Sequence, residues 1–135
     1  MTVRRNTKQR QIVLDEVRSR CDHPTTEQIY ESIHKVSPDI SMGTVYRNLS
    51  ILSEEGQVLA IRLPGADRFD LRTDPHNHLM CGGCGQVKDI DIPYDDSLNG
   101  TFSADGFYIQ DHQTIYIGLC PECAAKSEKK MEEIL

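Results

Sequence analysis

Two closely spaced cysteine pairs constrain this 135-residue chain more than any other feature of its sequence. Two glycines separate Cys81 from Cys84, and a proline and a glutamate separate Cys120 from Cys123. Two intervening residues let both sulfurs of a pair turn toward one ion, and four thiolates complete the tetrahedral sphere that zinc prefers. The spacing therefore predicts a structural zinc site joining a strand to the terminal helix, in preference to a redox pair or incidental disulfides.

Histidines and aspartates form a second group of candidate metal ligands. His76 and His78 lie two residues apart before the first cysteine pair, so on a strand both imidazoles would face one side. Asp70 ends a predicted hairpin, Asp89 lies on the next predicted strand, and His23 lies in a loop between helices. This donor set suits Fe(II), Mn(II) or Zn(II) without choosing among them. The alternative is that these side chains are solvated or make only local hydrogen bonds.

The charge of the chain is divided unevenly between its halves. The formal net charge is -6, yet residues 1–72 carry 11 lysines and arginines against 10 acidic residues, and residues 73–135 carry 4 against 11. No apolar run approaches the roughly 20 residues of a membrane span, and no apolar stretch follows the basic N-terminus as in a secretory signal. We therefore expect a cytoplasmic protein without membrane association, whose cysteines bind metal rather than form disulfides.

The first half of the sequence predicts three helices followed by a hairpin. The expected capping residues are Asn6 or Thr7, then Thr25 in a capping box with Gln28, then Ser41. Strands are expected over residues 58–63 and 68–72, around a Pro-Gly turn. This order is typical of a winged helix-turn-helix, which we assign to residues 1–73.

The second half of the sequence predicts a small α/β domain over residues 74–135, so that the whole chain is α+β. Strands are expected over residues 87–92, 107–110 and 114–118, and a last helix from Pro121 at its first position to Leu135. The polar stretch Pro93–Gly106 has room for a short helix.

Six segments match one protein family in order and spacing: residues 7–14, 23–30, 41–49, 67–70, 76–81 and 118–123. On these segments the chain resembles the ferric uptake regulator (Fur) family. The resemblance implies a homodimeric, metal-dependent repressor of double-stranded operator DNA, and not an enzyme. It also implies an N-terminal winged helix that binds DNA and a C-terminal domain that dimerises and holds structural zinc.

The resemblance further implies a regulatory metal site shared by both domains. The matching positions are His23 and Asp70 on the DNA-binding side, with His76, His78 and Asp89 on the dimerisation side. Many iron sensors have a glutamate where this chain has Asp89, and the aspartate is more similar to the peroxide-sensing PerR branch. That similarity implies that bound Fe(II) reacts with hydrogen peroxide and that His23 or His76 is oxidised, which releases the repressor, whereas Mn(II) does not react.

The residues expected to contact DNA lie in the first half of the chain. On the predicted third, recognition helix, Arg47 is placed to bond guanine and Tyr46 to touch a thymine methyl. Lys8 and Arg10 are expected to bind phosphate, and Arg62 on the wing to reach the DNA backbone.

Three alternatives stay open at this point. The protein could be an iron or manganese sensor without peroxide chemistry, a metalloenzyme whose HxH ligands activate water, or a purely structural zinc-binding interaction module. Cys21 is expected to be a buried or passive thiol and His34 a surface residue. His112 matches a ligand of an additional metal site in iron sensors, which we expect to be lost because Pro75 and Asn77 replace two of its ligands.

Overall fold

The computed structural model describes residues 7–134, and the chain divides into two compact units at Asp74 and Pro75. The first unit contains three helices and a two-stranded antiparallel hairpin, in the order expected of a winged helix-turn-helix. Its elements are α1 Thr7–Arg18, α2 Thr26–Val36, α3 Met42–Glu54, β1 Leu59–Ile61 and β2 Arg68–Asp70.

The caps of the helices explain where they begin and end. The capping box predicted for α2 is confirmed, since the side chains and backbone N–H groups of Thr25 and Gln28 bond reciprocally. Ser41 caps α3, as predicted, by accepting the N–H of Thr44. Gly56 ends α3 with φ 73°, a left-handed conformation that suits glycine at this position. The predicted cap Asn6 lies outside the described residues.

A hydrophobic core holds the first unit together. Apolar side chains at helical spacing on α1, α2 and α3 face inward and meet the hairpin. The buried members are Val13, Leu14, Val17, Ile29, Ile33, Ile40, Val45, Leu49, Leu52, Val58 and Phe69.

The second unit is built from short strands and one terminal helix. Its elements are β3 His78–Cys81, β4 Val87–Asp89, a 3-10 turn Asp96–Leu98, β5 Thr101–Phe102, β6 Tyr108–Ile109, β7 Ile115–Gly118 and α4 Pro121–Ile134. The main sheet has the order β4-β3-β7, in which β3 pairs antiparallel with β4 and parallel with β7. A second hairpin pairs β5 with β6.

Three expectations about the second unit need correction. The strand expected over residues 87–92 ends at Asp89, although the N–H of Ile90 still donates to the carbonyl of Asn77 in the same register. The HxH pair does not lie on one strand, since β3 begins at His78 and leaves His76 before it. The expected strand at 107–110 shortens to β6 and pairs with β5, which the sequence pattern did not indicate.

The last helix begins at Pro121, as predicted, and its expected end at Leu135 lies outside the described residues. Over the part of the chain that the structure describes, every helix is too short or too polar to cross a membrane.

Candidate metal centres and nucleic-acid interface

The four cysteines predicted to bind zinc lie together. Cys81 ends β3, Cys84 lies in the turn that follows, Cys120 directly precedes α4 and Cys123 lies in its first turn. The four sulfurs lie within 4.8 Å of one another, and the sulfurs of Cys84 and Cys120 are 3.9 Å apart. A hydrogen bond of 2.8 Å from the N–H of Gly82 to the carbonyl of Gly118 fixes the turn beside β7.

The backbone around the cluster is shaped for thiolates. The sulfur of Cys81 accepts N–H bonds from Cys84 and Cys120, and that of Cys120 accepts one from Cys123. The donated bonds lower the pKa of Cys81 to about 6. The surrounding sulfurs, Cys120 first, raise the pKa of Cys123 to about 12. The thiolate form is therefore favoured at Cys81 and disfavoured at Cys123. A divalent cation bound by all four sulfurs would stabilise the thiolate at both.

Close packing at the first turn also fits a tetrahedral ion. A Cβ atom on Gly83 would lie 2.8 Å from the sulfur of Cys123, closer than real contacts allow. The glycine therefore lets the turn approach α4 at the distance that one shared ion needs. Four convergent sulfurs fill the coordination sphere of zinc and leave no open position for catalysis.

A histidine and an aspartate predicted as regulatory ligands meet inside the first unit. His23 lies in the loop between α1 and α2, and Asp70 is the last residue of β2. Nε2 of His23 is 3.3 Å from Oδ2 of Asp70, and both side chains are buried. We call this pair the first half-site.

The other three predicted ligands meet inside the second unit. His78 and Asp89 are register partners on β3 and β4, and His76 lies just before β3. Nε2 of His76 is 3.0 Å and Nε2 of His78 is 3.3 Å from Oδ1 of Asp89. The two rings lie with their centroids 4.3 Å apart, so their donor atoms converge on one carboxylate oxygen. We call this trio the second half-site.

Asn77, between the two histidines of the second half-site, anchors the chain before β3 to the chain after β4, a role that the sequence did not indicate. Its buried amide donates to the carbonyls of Ile92 and Pro93 at 3.0 and 3.2 Å. Because both partners are acceptors, this position requires a donor that an aspartate lacks. The residue matched to a metal ligand in iron sensors therefore serves here as a structural clamp.

The residues predicted to contact DNA are arranged on the first unit. Tyr46 projects from α3 with 64% of its surface exposed, which excludes core packing as its role. Arg47 is also exposed, and its guanidinium donates to the hydroxyl of Thr44 at 3.2 Å. Lys8 is exposed and Arg10 is half-buried, whereas Arg62 is exposed and forms an ion pair with Asp67 on the hairpin.

A cleft of about 730 Å³ separates α3 from the hairpin and the start of α2. Its lining includes acidic, basic and aromatic side chains, among them Glu27, Tyr46, Arg47, Glu54, Arg62 and Asp67. An exposed helix beside a hairpin is the geometry in which winged-helix proteins present side chains to the major groove.

Cys21, His34 and His112 lie outside the two groups of candidate metal ligands. Cys21 is exposed, so it is not a buried thiol, and the alternative of a passive thiol stays a prediction. His34 is exposed as expected. The ring of His112 stacks on Tyr94 with centroids 4.5 Å apart, and its Nδ1 is 2.8 Å from Oδ1 of Asn99. These contacts join the 94–99 segment to the chain before β7.

A helical unit with a hairpin, followed in the chain by a small sheet unit with a four-sulfur cluster, is the combination found in one family of metal-dependent transcriptional regulators, which are not enzymes. A sequence profile of the ferric uptake regulator family matches residues 2–117, and the chain belongs to that family. Fur family regulators are dimeric DNA-binding repressors.

Curated relatives and a solved structure agree with this assignment. The peroxide operon regulator of Bacillus subtilis is 33% identical over 90% of this chain and 86% of its own length. The peroxide-responsive repressor PerR of Staphylococcus epidermidis is 31% identical over 88% of this chain and 81% of its own. The Campylobacter jejuni peroxide stress regulator, 25% identical, matches with a TM-score of 0.63 over 87% of this chain and 90% of its own.

Proposed function

We propose that this protein is a homodimeric, metal-dependent repressor that leaves double-stranded operator DNA when hydrogen peroxide oxidises one of its histidine ligands. The observation that carries the proposal is the pair of half-sites, each of which aims imidazole Nε2 atoms at a carboxylate oxygen. The choice of signal follows the relatives, which are named for their response to peroxide. Asp89, in place of the glutamate of many iron sensors, supports the same choice.

We assign structural Zn²⁺ to Cys81, Cys84, Cys120 and Cys123, and Fe²⁺ or Mn²⁺ to the two half-sites together. The regulatory ligands would be His23 and Asp70 from the first unit, with His76, His78 and Asp89 from the second. Three imidazoles and two carboxylates suit divalent iron or manganese, since neither metal requires thiolate ligands.

Coupling between metal and DNA follows from where the ligands lie in the chain. A metal that needs ligands from both units favours those arrangements of the units in which all five can bind it. If the same arrangements present the two recognition helices of a dimer to successive half-sites of the operator, metal binding raises DNA affinity. The size of the effect is limited by the difference in metal affinity between arrangements.

DNA contacts are proposed at the residues that the sequence singled out. Tyr46 and Arg47 would contact base edges in the major groove, because α3 exposes both. Lys8, Arg10 and Arg62 would bind phosphates, which gives affinity that falls as salt rises. Arg62 would exchange its Asp67 partner for phosphate on binding.

The response to peroxide would be a chemical change in a ligand. Fe(II) held by these ligands would mediate the reduction of hydrogen peroxide, for which the imidazole is the net electron donor. In the net reaction one oxygen enters a ring carbon–hydrogen bond of His23 or His76, and the other oxygen leaves as water. The imidazole loses two electrons and the peroxide gains two. An oxidised ring is a poor metal ligand, so the arrangement that binds DNA loses its support.

The test loads the zinc-containing protein with Fe(II) or with Mn(II), adds hydrogen peroxide, and maps oxygen addition by peptide mass spectrometry. We expect one added oxygen on His23 or His76 in the iron form alone, together with release from operator DNA. His23→Ala and His76→Ala are expected to abolish metal-dependent DNA binding, and His34→Ala, a change at an exposed histidine outside both half-sites, is the control.

The outcomes separate the proposal from its alternatives. Metal-dependent DNA binding without histidine oxidation, with the iron site shown to be filled, would indicate a plain iron or manganese sensor. A protein that holds zinc but binds no DNA duplex with any metal would indicate a structural interaction module.

A further inference from the structure

His23 has an unusual backbone. Its φ is 51°, and it is the only residue other than glycine with a positive φ among residues 7–134. A left-handed conformation is unfavourable for a residue with a Cβ atom and persists only where surrounding contacts enforce it. The imidazole of the first half-site thus belongs to a residue with a strained backbone, and contacts from neighbouring residues must stabilise that conformation.

Strand β2 makes the contacts that hold it. The guanidinium of Arg68 donates to the carbonyl of His23 at 3.1 Å. The next residue, Phe69, donates its N–H to the carbonyl of Pro24 at 2.9 Å, and Thr25 and Arg68 form an isolated antiparallel bridge. The loop after α1 is therefore fastened to one strand by consecutive contacts.

The same strand supplies the partner of the ring. Asp70, two residues after Arg68, places Oδ2 at 3.3 Å from Nε2 of His23. Residues two apart on a strand point to the same side, so the arginine and the aspartate reach the loop from one face of β2. Arg68 hydrogen-bonds the backbone carbonyl of His23, and Asp70 contacts its ring. The two contacts together fix the direction of the imidazole.

We infer that Arg68 is a positioning residue for the regulatory metal: it holds His23 in the left-handed conformation that directs its imidazole to Asp70. The inference rests on the proposed function, because it concerns one ligand of that metal site. Arg68 contacts the carbonyl and not the ring, so its loss would leave the chemistry of the imidazole unchanged and alter only its placement. Without the guanidinium, the loop can relax toward ordinary backbone conformations that carry the ring away from Asp70.

The first measurement is the Mn(II) affinity of the full-length, zinc-loaded protein. Replacing the partner of a metal ligand commonly weakens metal affinity about 10- to 100-fold, so Arg68→Ala is expected to raise the dissociation constant about tenfold. Arg68→Lys keeps one donor and is expected to fall between Arg68→Ala and the wild type. Arg72→Ala is the matched control, because the guanidinium of Arg72 pairs with Asp74 and its own backbone N–H still reaches Asp70.

Two further readouts distinguish positioning from a general loss of stability. In the zinc-only protein, Arg68→Ala is expected to speed amide exchange at Phe69, whose N–H binds Pro24, without changing exchange in α3. In the iron form treated with peroxide, the share of oxidation on His23 is expected to fall relative to His76. General destabilisation of the first unit would speed amide exchange in α3 as well.

The results separate two failures. If the wild type binds Mn(II) but Arg68→Ala and Arg68→Lys match it in affinity and in the ratio of oxidised histidines, the positioning role is wrong and the proposed function stands. If the wild type binds no second metal beside zinc, both the proposed function and this inference are wrong. Should Arg68→Ala lose its zinc or its helical content, Arg68→Lys decides the matter.

Discussion

The two units are stabilised in different ways. The first unit buries a continuous set of apolar side chains from three helices and the hairpin. In the second, over residues 75–128, Cys81 and Val87 are the buried apolar side chains. Domains this small gain little from burial and commonly depend on metals or on oligomerisation. We therefore expect the first unit to be held by its core and the second to depend on cross-links: the proposed zinc ion at the four sulfurs, the Asn77 clamp and the contacts of His112.

The second unit also differs from the first in its exposed apolar side chains. The second unit leaves a series of large side chains in contact with solvent: Leu98, Phe102, Phe107, Tyr108, Ile117 and Leu119. Exposed apolar surface of this extent usually marks a place where another protein binds. The homodimer typical of the family would cover part of it and add the burial that the unit lacks by itself.

Removal of zinc is expected to have the largest effect, and to act on one unit only. Structural zinc sites in small domains contribute about 10–16 kcal/mol to folding, far more than the second unit can replace. Cys84→Ser, or a chelator, should therefore unfold β3, β4 and β7 and leave α1–α3 folded. Amide exchange measured peptide by peptide would show the difference. The control is Cys21→Ser, which changes an exposed thiol outside the cluster. Equal loss of protection in both units would contradict the contrast.

Lowering the pH is expected to weaken zinc binding, and the cysteine pKa values give the direction of the change. The pKa of Cys81 is lowered to about 6, so its thiolate is favoured in the fold and that contribution disappears as pH falls through 6. The pKa of Cys123 is raised to about 12, so its proton competes with zinc at any lower pH. Zinc affinity should therefore decrease steadily as pH falls from 8 to 5, which a zinc-indicator competition assay would measure. A pH-independent affinity would show that the thiolates are not the ligands.

A core substitution is expected to act on the other unit. Leu52 is fully buried on α3, and Leu→Ala changes in cores cost about 2–5 kcal/mol through lost burial and the cavity left behind. Leu52→Ala should thus lower protection in α1 and α3 while the zinc-bound sheet stays protected. Leu71→Ala, at an exposed position of the same unit, is the matched control and should change protection little.

The parts of this molecule that follow from local spacing could be predicted from the sequence. The cysteine pairs, the capping box of Thr25 and the cap of α3 at Ser41 each involve residues close together in the chain. Other features depend on residues far apart. The hydrogen bond from Arg68 to His23 joins residues 45 positions apart and uses a backbone carbonyl as its acceptor. A pattern of side chains in the sequence does not reveal such a bond. Strand β5 has two residues, too few to show an alternating pattern.

Asn77→Asp sharpens the comparison within the second unit, because it removes a polar cross-link and leaves the zinc ligands in place. The substitution exchanges two donated hydrogen bonds for a carboxylate facing two carbonyls, and an unsatisfied buried group costs about 1–3 kcal/mol. We expect retained zinc, faster amide exchange over residues 76–93 and a weaker Mn(II) site, since the residue lies between His76 and His78. Gln86→Glu, the same chemical change at an exposed position, is the control. Tighter Mn(II) binding would mean that the aspartate acts as a ligand, and the clamp would be wrong.

The smallest effect is expected at the capping box of α2. Thr25→Ala removes the hydroxyl that accepts the N–H of Gln28 at 3.2 Å, and losing such a cap costs about 1 kcal/mol. Thr26→Ala, one residue later and inside the helix, is the matched control. Because the core holds the first unit, the cost should appear as faster exchange in the first turn of α2 and not as unfolding of α1 or α3. If Thr25→Ala unfolded all three helices, the first unit would depend on its caps as the second depends on its ion, and the contrast between the units would fail.

If the change stays local, the loop that carries His23, only two residues before the cap, can be altered without loss of the helical scaffold. Metal affinity measured on that variant would then separate the contribution of the helix cap from that of β2.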